Sequence, residues 1–192
     1  MAKIVLASAS PRRQELLRRV GLEDFDVRVP EVEETFPEGL TPPEVVSYIS
    51  REKAEAASAL CTPEEIVITA DTMVFLDGQR LGKPRDESDA LRMLTALQGR
   101  RHTVCTGVTV RRGDRGLTEA ESSDVCFRPA SREELLAYIR TGEPMDKAGA
   151  YGIQGKGALL VERLDGDFFN VMGLPLLRLS RMLERFGVRL LG

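Results

Sequence analysis

Leu6-Ala7-Ser8-Ala9-Ser10-Pro11-Arg12-Arg13-Gln14-Glu15-Leu16-Leu17 joins a short apolar run to an amphipathic one, and that junction decides the fold class. Residues 3–7 have strand length and composition. Ser10 is a good N-cap, Pro11 suits the first helical position, and Leu16, Leu17 and Val20 form a helical stripe that stops at Gly21. A strand running into a helix at the start of the chain predicts an α/β protein. The same turn sets Ser8, Ser10, Arg12 and Arg13 around a helix N-terminus, where free N–H groups point outward and where acidic residues are normally favoured. Two cations there suit an anionic ligand such as phosphate. A solvated basic turn on an ordinary helix is the competing reading.

Outward from that junction the chain alternates between the two periodicities. A second strand is expected over 26–29, followed by the acidic loop Glu31-Val32-Glu33-Glu34. Thr41 and Glu44 form a capping box around Pro42, opening a helix whose apolar face runs through Val45, Val46, Ile49, Ala54, Ala57 and Leu60. Ile66-Val67-Ile68-Thr69-Ala70 reads as a strand buried on both faces that ends at Asp71. Met73 to Leu76 with the turn Asp77-Gly78 predicts a short hairpin. Helices are expected over 86–98, 131–141 (with a Ser131/Glu134 box) and 174–186, and strands over 102–111, 118–127 and 158–163. Before the last strand lies a glycine-rich segment, Asp146-Lys147-Ala148-Gly149-Ala150-Tyr151-Gly152-Ile153-Gln154-Gly155-Lys156-Gly157. With no repeat, linker or low-complexity stretch, residues 1–192 are expected to form one mixed α/β domain.

Composition narrows the function. The formal net charge of −3 lacks the basic excess of a duplex-binding module, and few aromatics with no tryptophan give poor stacking platforms, so no nucleic-acid partner is expected. Cys61, Cys105 and Cys126 are widely spaced and odd in number, which fits reduced thiols and offers no metal-ligand spacing. No apolar run reaches signal-peptide or membrane-spanning length, so no membrane association and a cytoplasmic location are expected. His102 stands alone, which argues against a histidine metal cluster or a serine triad and leaves it structural or exposed.

The chemistry-bearing candidates are an acid and a set of cations. Asp71 at a strand end would lie where open α/β folds place ligands, either binding a metal or orienting water, unless it merely caps the following turn through Thr72. Lys53 on the second helix could face inward. Lys83, between Gly82 and Pro84, sits on a stiff loop suited to holding phosphate. Neither GxxxxGK[ST] nor GxGxxG occurs, so P-loop and dinucleotide-binding chemistry are excluded.

These blocks, in their order, resemble the Maf family of nucleoside triphosphate pyrophosphatases. The carriers are residues 6–17, Arg51-Glu52-Lys53-Ala54, Ala70-Asp71-Thr72, Gly82-Lys83-Pro84, residues 146–155 and Val171-Met172-Gly173-Leu174-Pro175. The resemblance implies a long twisted mixed sheet flanked by helices, a cleft between two lobes, and a shape like that of the inosine triphosphate pyrophosphatases. It also implies hydrolysis of a nucleoside triphosphate to the monophosphate and pyrophosphate with a divalent cation, Mg²⁺, Mn²⁺ or Co²⁺. Arg12, Thr72 and Gln154 are similar to the dTTP/UTP pyrophosphatase subgroup. By that similarity they would set base preference, with Ser8, Ser10, Arg13, Lys53 and Lys83 on the phosphates. Asp71 would be the proton acceptor, with Glu33 a candidate metal ligand beside it. The resemblance further suggests a homodimer, a role in nucleotide pool sanitation and a link to cell division arrest. Two alternatives stay open: a regulatory protein that inhibits septum formation through a partner, and a pyrophosphatase for modified nucleotides.

Overall fold

The computed structural model describes residues 3–191 and consists of a mixed sheet with helices. The first strand, β1 (Ile4–Leu6), pairs in parallel with β2 (Phe25–Val27) on one side and with β3 (Ile66–Leu76) on the other. Between them α1 (Pro11–Arg19) and α2 (Pro42–Ser58) make the crossovers that parallel neighbours require. β4 (Gln79–Leu81) turns back antiparallel on β3 through Asp77-Gly78. Then follow α3 (Glu87–Leu97), the long pair β5 (Arg101–Arg112) and β6 (Arg115–Phe127), and α4 (Arg132–Ile139). After three short 3₁₀ turns come β7 (Val161–Asp165), the single-turn α5 (Phe168–Met172) and α6 (Leu176–Glu184). The seven strands lie in the order β2-β1-β3-β5-β6-β7, with β4 on β3.

The chain divides into two compact units. The first holds residues 1–71, 106–121 and 173–192, and the second 72–105 and 122–172. β3, β5 and β6 each contribute residues to both, because each is long enough to leave one unit and enter the other.

In the first unit, β1, the early part of β3 and the inner faces of α1, α2 and α6 are buried. Helix α2 lies on β5 at Gly107, where an added Cβ would come 2.2 Å from the Val46 carbonyl oxygen and 2.7 Å from the Ser47 nitrogen. A chain of buried hydroxyls runs across the same contact. Ser50 Oγ donates to Thr109 Oγ1 at 3.0 Å, and Thr69 Oγ1 donates to the Ser50 carbonyl at 2.7 Å. These bonds satisfy polar groups that would otherwise be costly inside, and they tie α2 to β3 two residues before Asp71.

In the second unit, Val74, Leu76, Met93, Leu94, Leu97, Phe127, Leu135 and Ile139 belong to one apolar core on which α3 and α4 pack. His102 is 2% exposed, edge-on to Phe127 and Tyr151, with its Nε2 2.8 Å from the Tyr151 hydroxyl. Of the two expectations for this residue, the structural one holds.

The helix signals read in the sequence are present. Glu44 accepts the Thr41 N–H at 2.8 Å, and Ser131 and Glu134 bond reciprocally at 2.8 and 3.2 Å. At the end of α1, Gly21 N donates to Arg18 O at 3.0 Å and Leu22 N to Leu17 O at 3.1 Å, the reciprocal closure of a Schellman motif. Other expectations are corrected. Asp71 does not end a strand: β3 continues to Leu76, since residues 73–76 are apolar and the charge of Asp71 has a partner. The strand expected over 158–163 begins only at Val161, because 155–160 form a 3₁₀ turn. β2 is shifted to Phe25–Val27, and the last helix begins at Leu176 after Pro175. Ser10 occupies the N-cap position with extended backbone, but its side chain makes no capping bond.

Candidate active site

The turn after β1 carries the first group of site residues. Ser8 is buried, and its hydroxyl accepts from Arg13 Nη1 at 3.1 Å and from the Ser10 N–H at 3.3 Å. Arg13 also donates Nε to the Gly173 carbonyl at 2.8 Å, which fixes the guanidinium from a second side. Burial lowers the Arg13 pKa from its ordinary value, while the charges of Asp71 and Glu34 act in the opposite direction. Arg12 is half-buried on the same turn.

Helix α2 and strand β3 supply the second group. Lys53 is buried enough to leave 17% of its side chain exposed, and its Nζ lies 2.8 Å from Asp71 Oδ1 and 2.7 Å from Glu34 Oε1. The inward orientation of Lys53, one of two readings of the sequence, is therefore the observed one. Asp71 is itself buried, and its Oδ2 has no hydrogen-bond partner among the described residues. A buried carboxylate oxygen is costly to leave unmatched, which marks Oδ2 as the open valence of the site. The acidic loop reaches Lys53 through Glu34. Glu33 is exposed, with its backbone carbonyl accepting from Thr35 N at 2.9 Å. Ser8, Ser10, Arg13, Glu34, Lys53 and Asp71 all belong to the first unit.

Thr72, Lys83 and Gln154 belong to the second unit. Thr72 follows Asp71 in β3, so the two side chains leave opposite faces of the strand. Lys83 is exposed, and the loop that carries it is joined to the glycine-rich segment by Gly149 N donating to Gly82 O at 3.0 Å. Gln154 is half-buried with extended backbone just before a 3₁₀ turn.

Sequence reasoning missed Glu34. The two neighbouring acids of the loop carry no periodic signal to tell them apart, and only the position of Lys53 selects one. No group of three or more His, Cys, Asp or Glu side chains suited to a metal occurs among the described residues. No helix among them is long and apolar enough to cross a membrane.

The chain is similar to known proteins over nearly its whole length. The model of the Maf-like protein family matches residues 3–186. A dTTP/UTP pyrophosphatase of Symbiobacterium thermophilum is 51% identical over 97% of this chain and 95% of its own. One from Bacillus pumilus is 46% identical over 98% of each chain, and one from Moorella thermoacetica 48% identical over 100% of this chain and 99% of its own. Among solved structures, a HAM1 protein from Coxiella burnetii superposes with a TM-score of 0.50 at 14% identity, covering 96% of this chain and 100% of that one, a likeness of fold alone. The chain belongs to the Maf family.

Proposed function

We propose that this protein hydrolyses nucleoside triphosphates between the α and β phosphates, releasing the monophosphate and pyrophosphate, with dTTP and UTP as its substrates. The observation that carries this reading is Asp71. It is a buried carboxylate held through Oδ1 by Lys53, with Oδ2 unmatched, in the electrostatic reach of Arg13. Relatives at about half identity that bear the name dTTP/UTP pyrophosphatase support it.

Ser8, Ser10, Arg13 and Lys53 bind the triphosphate oxygens, and Asp71 takes the proton of the attacking water at Oδ2. A general base of this kind contributes roughly a hundredfold or more in rate. Lys53, anchored at Oδ1, orients the carboxylate so that its second oxygen is the one presented. On the resemblance to the family, Lys83 joins the phosphate contacts, while Arg12, Thr72 and Gln154 read the base. A Gln side chain both donates and accepts, as the imide edge of uracil and thymine requires.

The residues present also fit a hard divalent ion. Asp71 and Glu34 provide two carboxylates, and ions such as Mg²⁺ bind through one or two carboxylates together with substrate phosphates. Glu34, which shares Lys53 with Asp71, takes the place of Glu33 in this reading. Such an ion, Mg²⁺, Mn²⁺ or Co²⁺, would neutralise the triphosphate charge.

The test is a nucleotide panel with pyrophosphate detection, in the presence and absence of Mg²⁺, Mn²⁺ and Co²⁺. Stoichiometric monophosphate and pyrophosphate from dTTP and UTP are expected. Release of inorganic phosphate instead, or no turnover of any nucleotide with any of the metals, would overturn the reading.

A further inference from the structure

Residues 152–157 of the glycine-rich segment are held at both ends by one pair of side chains. Tyr138, in the last turn of α4, donates its hydroxyl to Glu143 Oε1 at 2.9 Å and accepts the Gly152 N–H at 3.1 Å. The same carboxylate accepts the backbone amides of Lys156 and Gly157, each at 3.0 Å. Residues 152 and 157, which bracket Gln154, are thus tied to one acid, Gly157 directly and Gly152 through the Tyr138 hydroxyl. Lys147 fixes the approach to the loop, its ammonium donating to the Glu143 carbonyl at 2.6 Å.

Sterics explain why the loop can close so tightly. An added Cβ at Gly157 would lie 2.1 Å from the Gly152 carbonyl oxygen and 2.6 Å from the Tyr138 hydroxyl. Gly155 has φ +69°, and a Cβ there would meet Glu143 Oε2 at 2.7 Å. Between the anchored ends Ile153 is buried, which leaves Gln154 as the half-buried polar side chain of the turn.

Burial works to raise the Glu143 pKa. The amides of Gly157 and Lys156 and the Tyr138 hydroxyl outweigh it, so the group lies below its ordinary value and stays ionised. Hydrogen bonds to an ionised acceptor are roughly twice as strong as neutral ones, so this is a stiff anchor.

We propose that Glu143, acting with Tyr138, is the positioning residue that sets Gln154 for reading the substrate base. This rests on the base-reading role of Gln154 proposed above. Neither Glu143 nor Tyr138 touches the nucleotide. Their effect is on which base is accepted, and the triphosphate end is bound without them.

The experiment compares kcat/KM for UTP with kcat/KM for GTP in Glu143→Ala, Tyr138→Phe, Gln154→Ala and the double variant Glu143→Ala/Gln154→Ala. Inhibition by inorganic tripolyphosphate is measured alongside. A misplaced recognition group costs about tenfold or more in discrimination, so each single variant is expected to lower the UTP/GTP ratio by that much. The double variant should fall no further than Gln154→Ala, and tripolyphosphate inhibition should be unchanged throughout. Tyr138→Phe keeps the ring in place and serves should Glu143→Ala fold poorly. A wild-type ratio in Glu143→Ala and Tyr138→Phe, with a reduced ratio in Gln154→Ala, would overturn the positioning role alone. A further fall in the double variant, or weakened tripolyphosphate inhibition, would also overturn it. A wild-type ratio in Gln154→Ala would overturn the base-reading role and this inference with it.

Discussion

Lys53 Nζ is 2.8 Å from Asp71 Oδ1, and the two side chains come from a helix and a strand 18 residues apart in sequence. The contact places a cation where the central strand would otherwise bury an unmatched charge. It also accounts for the strand running on past the acid instead of ending there.

Asp71→Asn keeps the shape of the side chain and removes the proton acceptor. Turnover is expected to fall by about a hundredfold or more, with nucleotide binding retained. Steady-state kinetics beside equilibrium binding of a non-hydrolysable analogue check it.

Replacing Lys53 by Met leaves the Asp71 carboxylate buried without its partner, which is expected to cost about 3 kcal/mol of stability. Adding Asp71→Asn removes the stranded charge and should restore part of that loss, so the two substitutions couple by about 1 kcal/mol or more. Urea unfolding of the four proteins gives the coupling directly.

Gly107→Ala forces a methyl against the backbone of α2 at Val46 and Ser47, which no rotamer change relieves. A loss of about 3 kcal/mol is expected. Because α2 carries Lys53, activity should decline along with the melting temperature, and a wild-type melting curve would contradict the close approach.

Burial pushes the His102 pKa down to about 4 from 6.5. The folded state therefore keeps the ring neutral while the unfolded chain takes up a proton. Between these values the unfolded state binds more protons, so stability rises with pH. The contribution is complete above pH 6.5 and lost as pH falls toward 4, amounting to about 3 kcal/mol over that window. Urea midpoints from pH 4 to 7 should show this slope, and His102→Asn should flatten it.

Gln154→Glu exchanges an amide donor for a charged acceptor at the proposed base contact. Its UTP/GTP ratio of kcat/KM is expected to fall by about tenfold or more. Unchanged ratios across the nucleotide panel would remove Gln154 from base recognition.

Much of this architecture was legible because local chemistry and tertiary structure agree. The Thr41/Glu44 and Ser131/Glu134 boxes open helices where they are read, and Asp77-Gly78 makes its hairpin. The failures share a cause, which is that a distant residue decides. Asp71 reads as a strand end since an acid rarely sits inside a buried strand, and only the fold decides that Lys53 turns inward to meet it. Glu34 and Glu33 are equivalent by composition, and only the contact with Lys53 of α2 tells them apart. Residues 158–160 read as a strand start, yet the Glu143 carboxylate takes the amides of Lys156 and Gly157 just before them, and 155–160 form a 3₁₀ turn. Among the site residues, Ser8, Ser10, Arg13, Lys53 and Asp71 are all carried by the first unit. Thr72, Lys83 and Gln154 are carried by the second, and their roles rest on family likeness.

The closed ring of amides around Glu143 has a bearing on how substrate choice could change during evolution or redesign. Its backbone has no slack: Gly157 is filled by neighbouring atoms, and Gly155 is pinned against the carboxylate in a conformation that other residues rarely adopt. Insertions, deletions or bulkier residues would break the ring before they reshaped it. On the base-reading role proposed for Gln154, a new nucleobase preference gained through this loop would arrive as a one-for-one exchange of the side chain at position 154, on an unaltered frame.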